Sequence, residues 1–118
     1  MIKPFSLHKL IHEHEFVPQA LIAEPLDELV KRFGSEIEKG SDDFDTYVGA
    51  GGLLDERVPF ALMHYGGHPK GTSTIYLPFE YNDVENIMKI IYLIVSELKI
   101  PDAYIKWQRK DGVNFKDS

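Results

Sequence analysis

Histidine is the residue type here that most directly suggests chemistry, because neutral imidazole binds divalent metals and titrates near neutrality. Four of the five histidines fall in two close pairs, His12-Glu13-His14-Glu15 and His64-Tyr65-Gly66-Gly67-His68. If folding brought both pairs together, His12, His14, His64 and His68 could hold a zinc-like ion, with Glu13 or Glu15 as a further ligand or general base. The protein would then be a small metal-binding protein or a metal-assisted hydrolase. Neither spacing is that of the helical HExxH pattern, whose ligands sit one turn apart and share a face. The plainer reading puts His12 and His14 on an exposed helix end and His64 and His68 at a hairpin tip. The chain has no cysteine, which removes disulfides, thiolate zinc sites and cysteine nucleophiles.

Other motifs carry less. The stretch Gly49-Ala50-Gly51-Gly52 could cradle phosphate only ahead of a helix, and the residues that follow read as a turn into a strand. Glycines in a strand mark a bulge or a close approach of backbone instead. Asp42, Asp43 and Asp45 crowd one short segment but lack the glycine and distal glutamate of a calcium loop, which leaves a solvated acidic loop that could receive a basic partner. Ser73 and Thr74 sit in a strand with no nucleophile elbow around them. His64 could pair with Asp45 or Glu80 only if folding joined them. No cofactor motif is present, and no cofactor is expected.

The segment from His64 to Gly71 holds more than a turn requires. Gly66, Gly67, Pro69 and Gly71 suffice to reverse the chain, whereas His64, Tyr65, His68 and Lys70 add aromatic and cationic groups. This tip reads as a contact surface. Tyr47, Tyr65 and Tyr76 would lie on one side of the sheet if the register allows, and tyrosines are common interface anchors. A further reading is a small-ligand pocket between sheet and helix, lined by Tyr76, Trp107 and His64.

The elements that must position these groups follow from periodicity. Residues 5–14 form a short helix with Leu7, Leu10 and Ile11 on one face, and residues 16–23 an apolar strand that Pro18 confines to an edge. Glu24-Pro25 opens a second helix, with Leu26, Leu29, Val30 and Phe33 in step, which Gly34 ends. Residues 35–39 read as a further turn and residues 40–45 as a loop. Residues 46–54, 58–65 and 72–79 alternate as strands joined by short turns, which implies an antiparallel meander. A helix spans 83–99, capped by Asn82 and stopped by Pro101, with Val84, Ile87, Met88, Ile91, Ile94, Val95 and Leu98 as its buried stripe. A strand at 103–109, with Ile105 and Trp107 inward, and a polar tail from Lys110 complete the chain. Ile90 and Leu93 fall off the stripe, so either the N-terminal segment covers them or they face a second subunit or partner.

The predicted fold is therefore α+β: one globular domain over residues 1–118, with an antiparallel sheet of about four strands packed on the 83–99 helix and one or two N-terminal helices. A chain of 118 residues can bury a core of its own. Its formal charge of −6 disfavours nucleic acid and anionic lipid, since Lys106, Arg109 and Lys110 form a thin basic group. The N-terminus lacks a signal-peptide core and no apolar run is long enough to cross a bilayer, so a cytoplasmic location is expected. The segment 59–65 followed by 72–78 has the look of a small bacterial domain without the signature of a named family. These features favour a non-catalytic protein-binding or regulatory domain, such as an immunity or antidote protein or an oligomerising accessory protein. Its partner would be another protein or a second copy of itself.

Overall fold

A computed structural model describes residues 1–43 and 45–109. Among them lie seven strands and three α-helices. The strands are β1 (Ile2–Phe5), β2 (Phe16–Ile22), β3 (Glu38–Ser41), β4 (Thr46–Leu54), β5 (Val58–Tyr65), β6 (Ser73–Pro78) and β7 (Ile105–Gln108). The helices are α1 (Leu7–Glu13), α2 (Leu26–Lys31) and α3 (Val84–Glu97), and a 3-10 turn at Asp102–Tyr104 leads into β7. The fold class is α+β, as the residue pattern predicts, but the sheet is larger than the predicted four strands.

The strands form one antiparallel sheet in the order β1-β4-β5-β6-β2-β7, with β3 also paired to β4. The central meander has the predicted bounds almost residue for residue. Its first turn spans Asp55 to Arg57 between the paired Leu54 and Val58, and Asp55 and Glu56 both take positive φ, 52° and 60°, which suits the strand twist. Arg57 N–H closes that turn on the Leu54 carbonyl at 3.1 Å.

Alternation along the strands separates two faces. On one, Ala50, Leu54, Phe60, Leu62, Ile75, Leu77, Ala20 and Ile22 meet α2 and α3 to form the main core. On the other, Ala61, Met63 and Tyr76 meet Leu7 of α1 in a smaller cluster. Two of the glycines of β4, Gly49 and Gly51, serve this second face. A Cβ on Gly51 would lie 2.7 Å from the Phe5 carbonyl oxygen and 3.1 Å from the Leu7 nitrogen, and one on Gly49 would lie 2.6 Å from Leu7 Cδ2. The glycine run thus admits the β1–α1 corner, in keeping with the close-approach reading.

Four expectations are corrected. Residues 2–5 are strand, because the long β4 has an outer edge that Ile2 to Phe5 pair along Leu54 to Gly51. The expected turn at 35–39 and loop at 40–45 contain β3, which takes the rest of that edge, Glu38 to Ser41 against Gly49 to Thr46. Strand β2 is not at an edge: it lies between β6 and β7. Pro18 is tolerated because the β7 ladder reaches only Ala20 to Ile22, and the register on β6 shifts between Pro18 and Ala20. Finally, Ile105 packs on the main core, but a register shift between Leu21 and Ile22 carries Trp107, opposite Leu21, to the other face.

Helix α3 is rotated from its predicted stripe. Ile87, Ile90, Ile91, Ile94 and Val95 are buried, while Met88 is 40% exposed. At ~100° per residue the buried arc centres near Ile87 and Leu98 and extends to Ile90 rather than to Met88. The cap is Asp83, whose carboxylate accepts from Asn86 N–H at 3.3 Å, one residue later than expected. No helix among the described residues is long and apolar enough to cross a membrane. The expected polar tail from Lys110, and Lys110 of the basic trio, lie outside the described residues.

Candidate functional site: a tyrosine cluster laced to the acidic loop

Strand pairing sets the site. Tyr47 of β4 lies directly opposite Tyr65 of β5, and their ring centroids are 5.5 Å apart. Tyr76 of β6 points to the same face and reaches Tyr65 at 6.5 Å. The Tyr47 ring crosses Gly40 of β3, where any Cβ would fall 2.5 Å from the phenol oxygen. On the far side, Phe16 and His14 meet edge to face at 6.0 Å.

The acidic loop is bonded to this cluster and to the hairpin tip. Tyr65 Oη donates to Asp42 Oδ2 at 2.7 Å, and Asp45 N–H donates to Asp42 Oδ1 at 3.1 Å. Asp45 in turn accepts from Thr46 N–H at 2.7 Å and from Gly67 N–H at 2.9 Å, so its carboxylate fastens the tip. The His68 ring lies 5.5 Å from Tyr65 and 6.2 Å from His64. His64 Nδ1 is 2.9 Å from the Thr72 carbonyl, and Thr72 Oγ1 donates to the Pro69 carbonyl at 2.6 Å. The tip is therefore a tied structure and not a loose turn.

Two hollows flank Tyr76 on this face. One, of about 260 Å³, is walled by Ile11, Phe16, Tyr47, Met63, Tyr65 and Tyr76, with His14, Glu15, Ser41 and Asp42 at its rim. The other, of about 440 Å³, lies between Pro18, Leu21, His68, Pro69, Tyr76 and Trp107. Tyr76 and Trp107 of the expected pocket share this hollow, but it lies on the face away from α3, not between sheet and helix, and holds His68 where His64 was expected. His64 faces the other way, into a hollow beside Leu26, Ile37 and Val48.

The phenols are held neutral. Burial, and then the negative charge of Asp42, push Tyr76 up to about 12. Tyr65 is raised well above the usual phenol range, first by burial and then by its hydrogen bond to Asp42. Tyr47 is raised by burial, with Asp42 and Glu38 adding to it. Uncharged rings beside a carboxylate offer negative π-faces and hydroxyl donors to whatever enters.

The histidine pairs do not converge. His12 is exposed on the last turn of α1. His14 Nδ1 sits 3.1 Å from Glu80 Oε1, so the acid–base pairing that His64 could have made with Glu80 falls to His14. Among the described residues no group of three His, Asp or Glu side chains is placed to hold a metal. Lys70 and Asp43 stand exposed at the tip and the loop. Ile90 is buried within the chain at 5% exposure, whereas Leu93 remains 44% exposed.

Residue patterns alone did not join Asp42 and Asp45 to the tip, nor enlist Ile11, His14 and Phe16 as a wall. The alternation of Tyr47, Tyr65 and Tyr76 was the available signal, and it needed the register. No family model matches this chain, and no curated protein or solved structure matches it either.

Proposed function

We propose that the protein is a non-catalytic binding module that works by covering a protein partner with the sheet face bearing the tyrosine cluster. One observation carries this reading: the acidic loop and the hairpin tip are bonded to each other around Tyr65, which yields a preformed aromatic surface rimmed by charge. Preorganised tyrosines suit this role, because they add contact area at little cost in side-chain entropy. An immunity or antidote protein against a basic target is one case that fits the acidic balance. The metal-dependent reading loses its support with the separation of the histidines.

The test uses residues that stand clear of the internal bonds. Asp42 and Asp45 hold the loop together, so reversing them would unmake the surface. Asp43→Lys with Lys70→Glu changes charge at two exposed positions instead. A partner retained by the wild type and identified by mass spectrometry should be lost or weakened by this double variant. Equal retention by both proteins would take the function away from this face.

A second copy of the chain is the other partner to consider, because Met88, Tyr92 and Leu93 of α3 are 40%, 70% and 44% exposed. Ile90 takes no part in such an interface. Sedimentation equilibrium should then show a dimer that Tyr92→Lys dissociates, and a wild-type monomer at high concentration would dispose of this version.

A further inference from the structure

The smaller hollow has a chemistry of its own. Tyr47 and Tyr65 are inclined at 52° and Tyr65 and Tyr76 at 51°, so the rings do not stack flat on each other, and all three line one hollow. Asp42 and Glu15 are the two acidic residues among those that line it. Among the described residues, no lysine or arginine lines the space. From this geometry we infer that the hollow is a cage for a cation, and that its occupant is a basic side chain of the protein partner, arginine in first place. The inference rests on the reading of the protein as a partner-binding module and adds what that partner must present.

Size argues for a side chain. The volume of about 260 Å³ falls below the roughly 300–1,000 Å³ of sites that enclose a whole small molecule. Charge argues for a cation. Ring faces carry negative quadrupole potential, and the Asp42 carboxylate keeps its formal charge while it accepts from Tyr65 Oη and Asp45 N–H. An anion would be repelled, and an apolar group would strip water from Asp42 without replacing its bonds. The overall charge of −6 adds long-range attraction of the same sign. Arginine is favoured over lysine because guanidinium is planar, weakly hydrated, able to lie on an aromatic face and able to reach a carboxylate with paired N–H groups.

The experiment is a two-dimensional NMR titration of the full chain with three probes: N-acetyl-arginine amide, its neutral isostere N-acetyl-citrulline amide, and tetramethylammonium chloride. The arginine probe should shift the ring resonances of Tyr47, Tyr65 and Tyr76 together and saturably, and the citrulline probe should leave them in place. Asp42→Asn removes the charge but offers one acceptor oxygen where Tyr65 Oη and Asp45 N–H use two, so it should weaken the arginine probe about tenfold, with amide shifts confined to the loop and the hairpin tip. Citrulline binding as well as arginine, no saturable shift at the three rings, or an Asp42→Asn variant that binds with full strength would each overturn the cage. Tetramethylammonium binding more tightly than the arginine probe would overturn the side-chain occupant in favour of a small quaternary ammonium ligand. If the cage fails while Asp43→Lys with Lys70→Glu still releases a retained partner, the binding module stands without its cationic anchor. If the cage binds arginine and that double variant retains the partner fully, the binding face is lost and the cage remains as a separate site.

Discussion

Alkali should unfold this protein through Tyr76 before the ordinary titration of its surface would. The sign follows from the acid raised in the folded state. Below the unfolded phenol value of about 10 both states are neutral and the full stability is present. Between about 10 and the folded value, pushed up to about 12, the unfolded chain releases a proton that the folded chain keeps, so stability falls as pH rises. A separation of about two pH units is worth on the order of 3 kcal/mol once both values are passed, and roughly half of it is gone by about pH 11. That loss shifts a urea midpoint by roughly 1 M for a domain of this size. The assay is urea unfolding at about pH 8 and about pH 11, followed by far-ultraviolet circular dichroism, on the wild type and on Tyr76→Phe. The variant removes the ionising group and keeps the ring, so it should lose roughly 1–2 kcal/mol less than the wild type over that interval. Equal losses in the two proteins would refute the argument, as would a phenolate absorbance titration in which replacing Tyr76 removes a group ionising near pH 10.

Two further outcomes follow from the packing. Gly51→Ala should destabilise the chain by about 2–3 kcal/mol, the upper part of the range for overpacking, because two of the three nearest atoms are backbone of the β1–α1 corner and cannot rotate away; urea unfolding reads it, and a neutral result would show that α1 does not lie where described. Arg32→Ala should cost about 2–3 kcal/mol, since Arg32 donates to both oxygens of the buried Glu24 and to the Leu98 carbonyl. This is below the usual cost of orphaning a buried charge because the Arg32 side chain is 30% exposed. Adding Glu24→Gln should restore part of that loss in thermal unfolding, and no recovery would count against the ion pair.

Some of the fold was legible because local rules agreed. The three strands of the meander alternate cleanly, and the turn after the first of them closes locally through Arg57 N–H on the Leu54 carbonyl. Helix α2 was legible for the same reason: Leu26, Leu29 and Val30 are buried, Phe33 packs beside Phe60 at 6.0 Å, and Gly34 ends the run at φ 72°. Strands β1 and β3 were not legible. Four residues containing a proline, and four reading Glu-Lys-Gly-Ser, carry no alternating apolar pattern. They become strands because β4 is nine residues long and offers its outer edge to both.

The same edge decides details that local patterns leave open. Strand β3 carries Glu38 to the start of α1, where its carboxylate accepts from the backbone N–H groups of Leu7 and His8 and from Ser6 Oγ. A capping acid thirty residues away has no sequence signature, yet it answers the unpaired donors and positive end of a short helix.

For this protein the sequence by itself determined the α+β class, the central meander with its turns, and the supply of aromatic and acidic groups near a hairpin tip. Those outcomes depend on contacts within a few residues, and periodicity records such contacts. Only the tertiary structure decided which groups meet: Asp42 with Tyr65, Asp45 with Gly67, His14 with Glu80, and Tyr76 between two hollows. A one-residue slip in any strand would turn these side chains to the other face, and the register that prevents it is fixed by packing of the whole sheet against its helices.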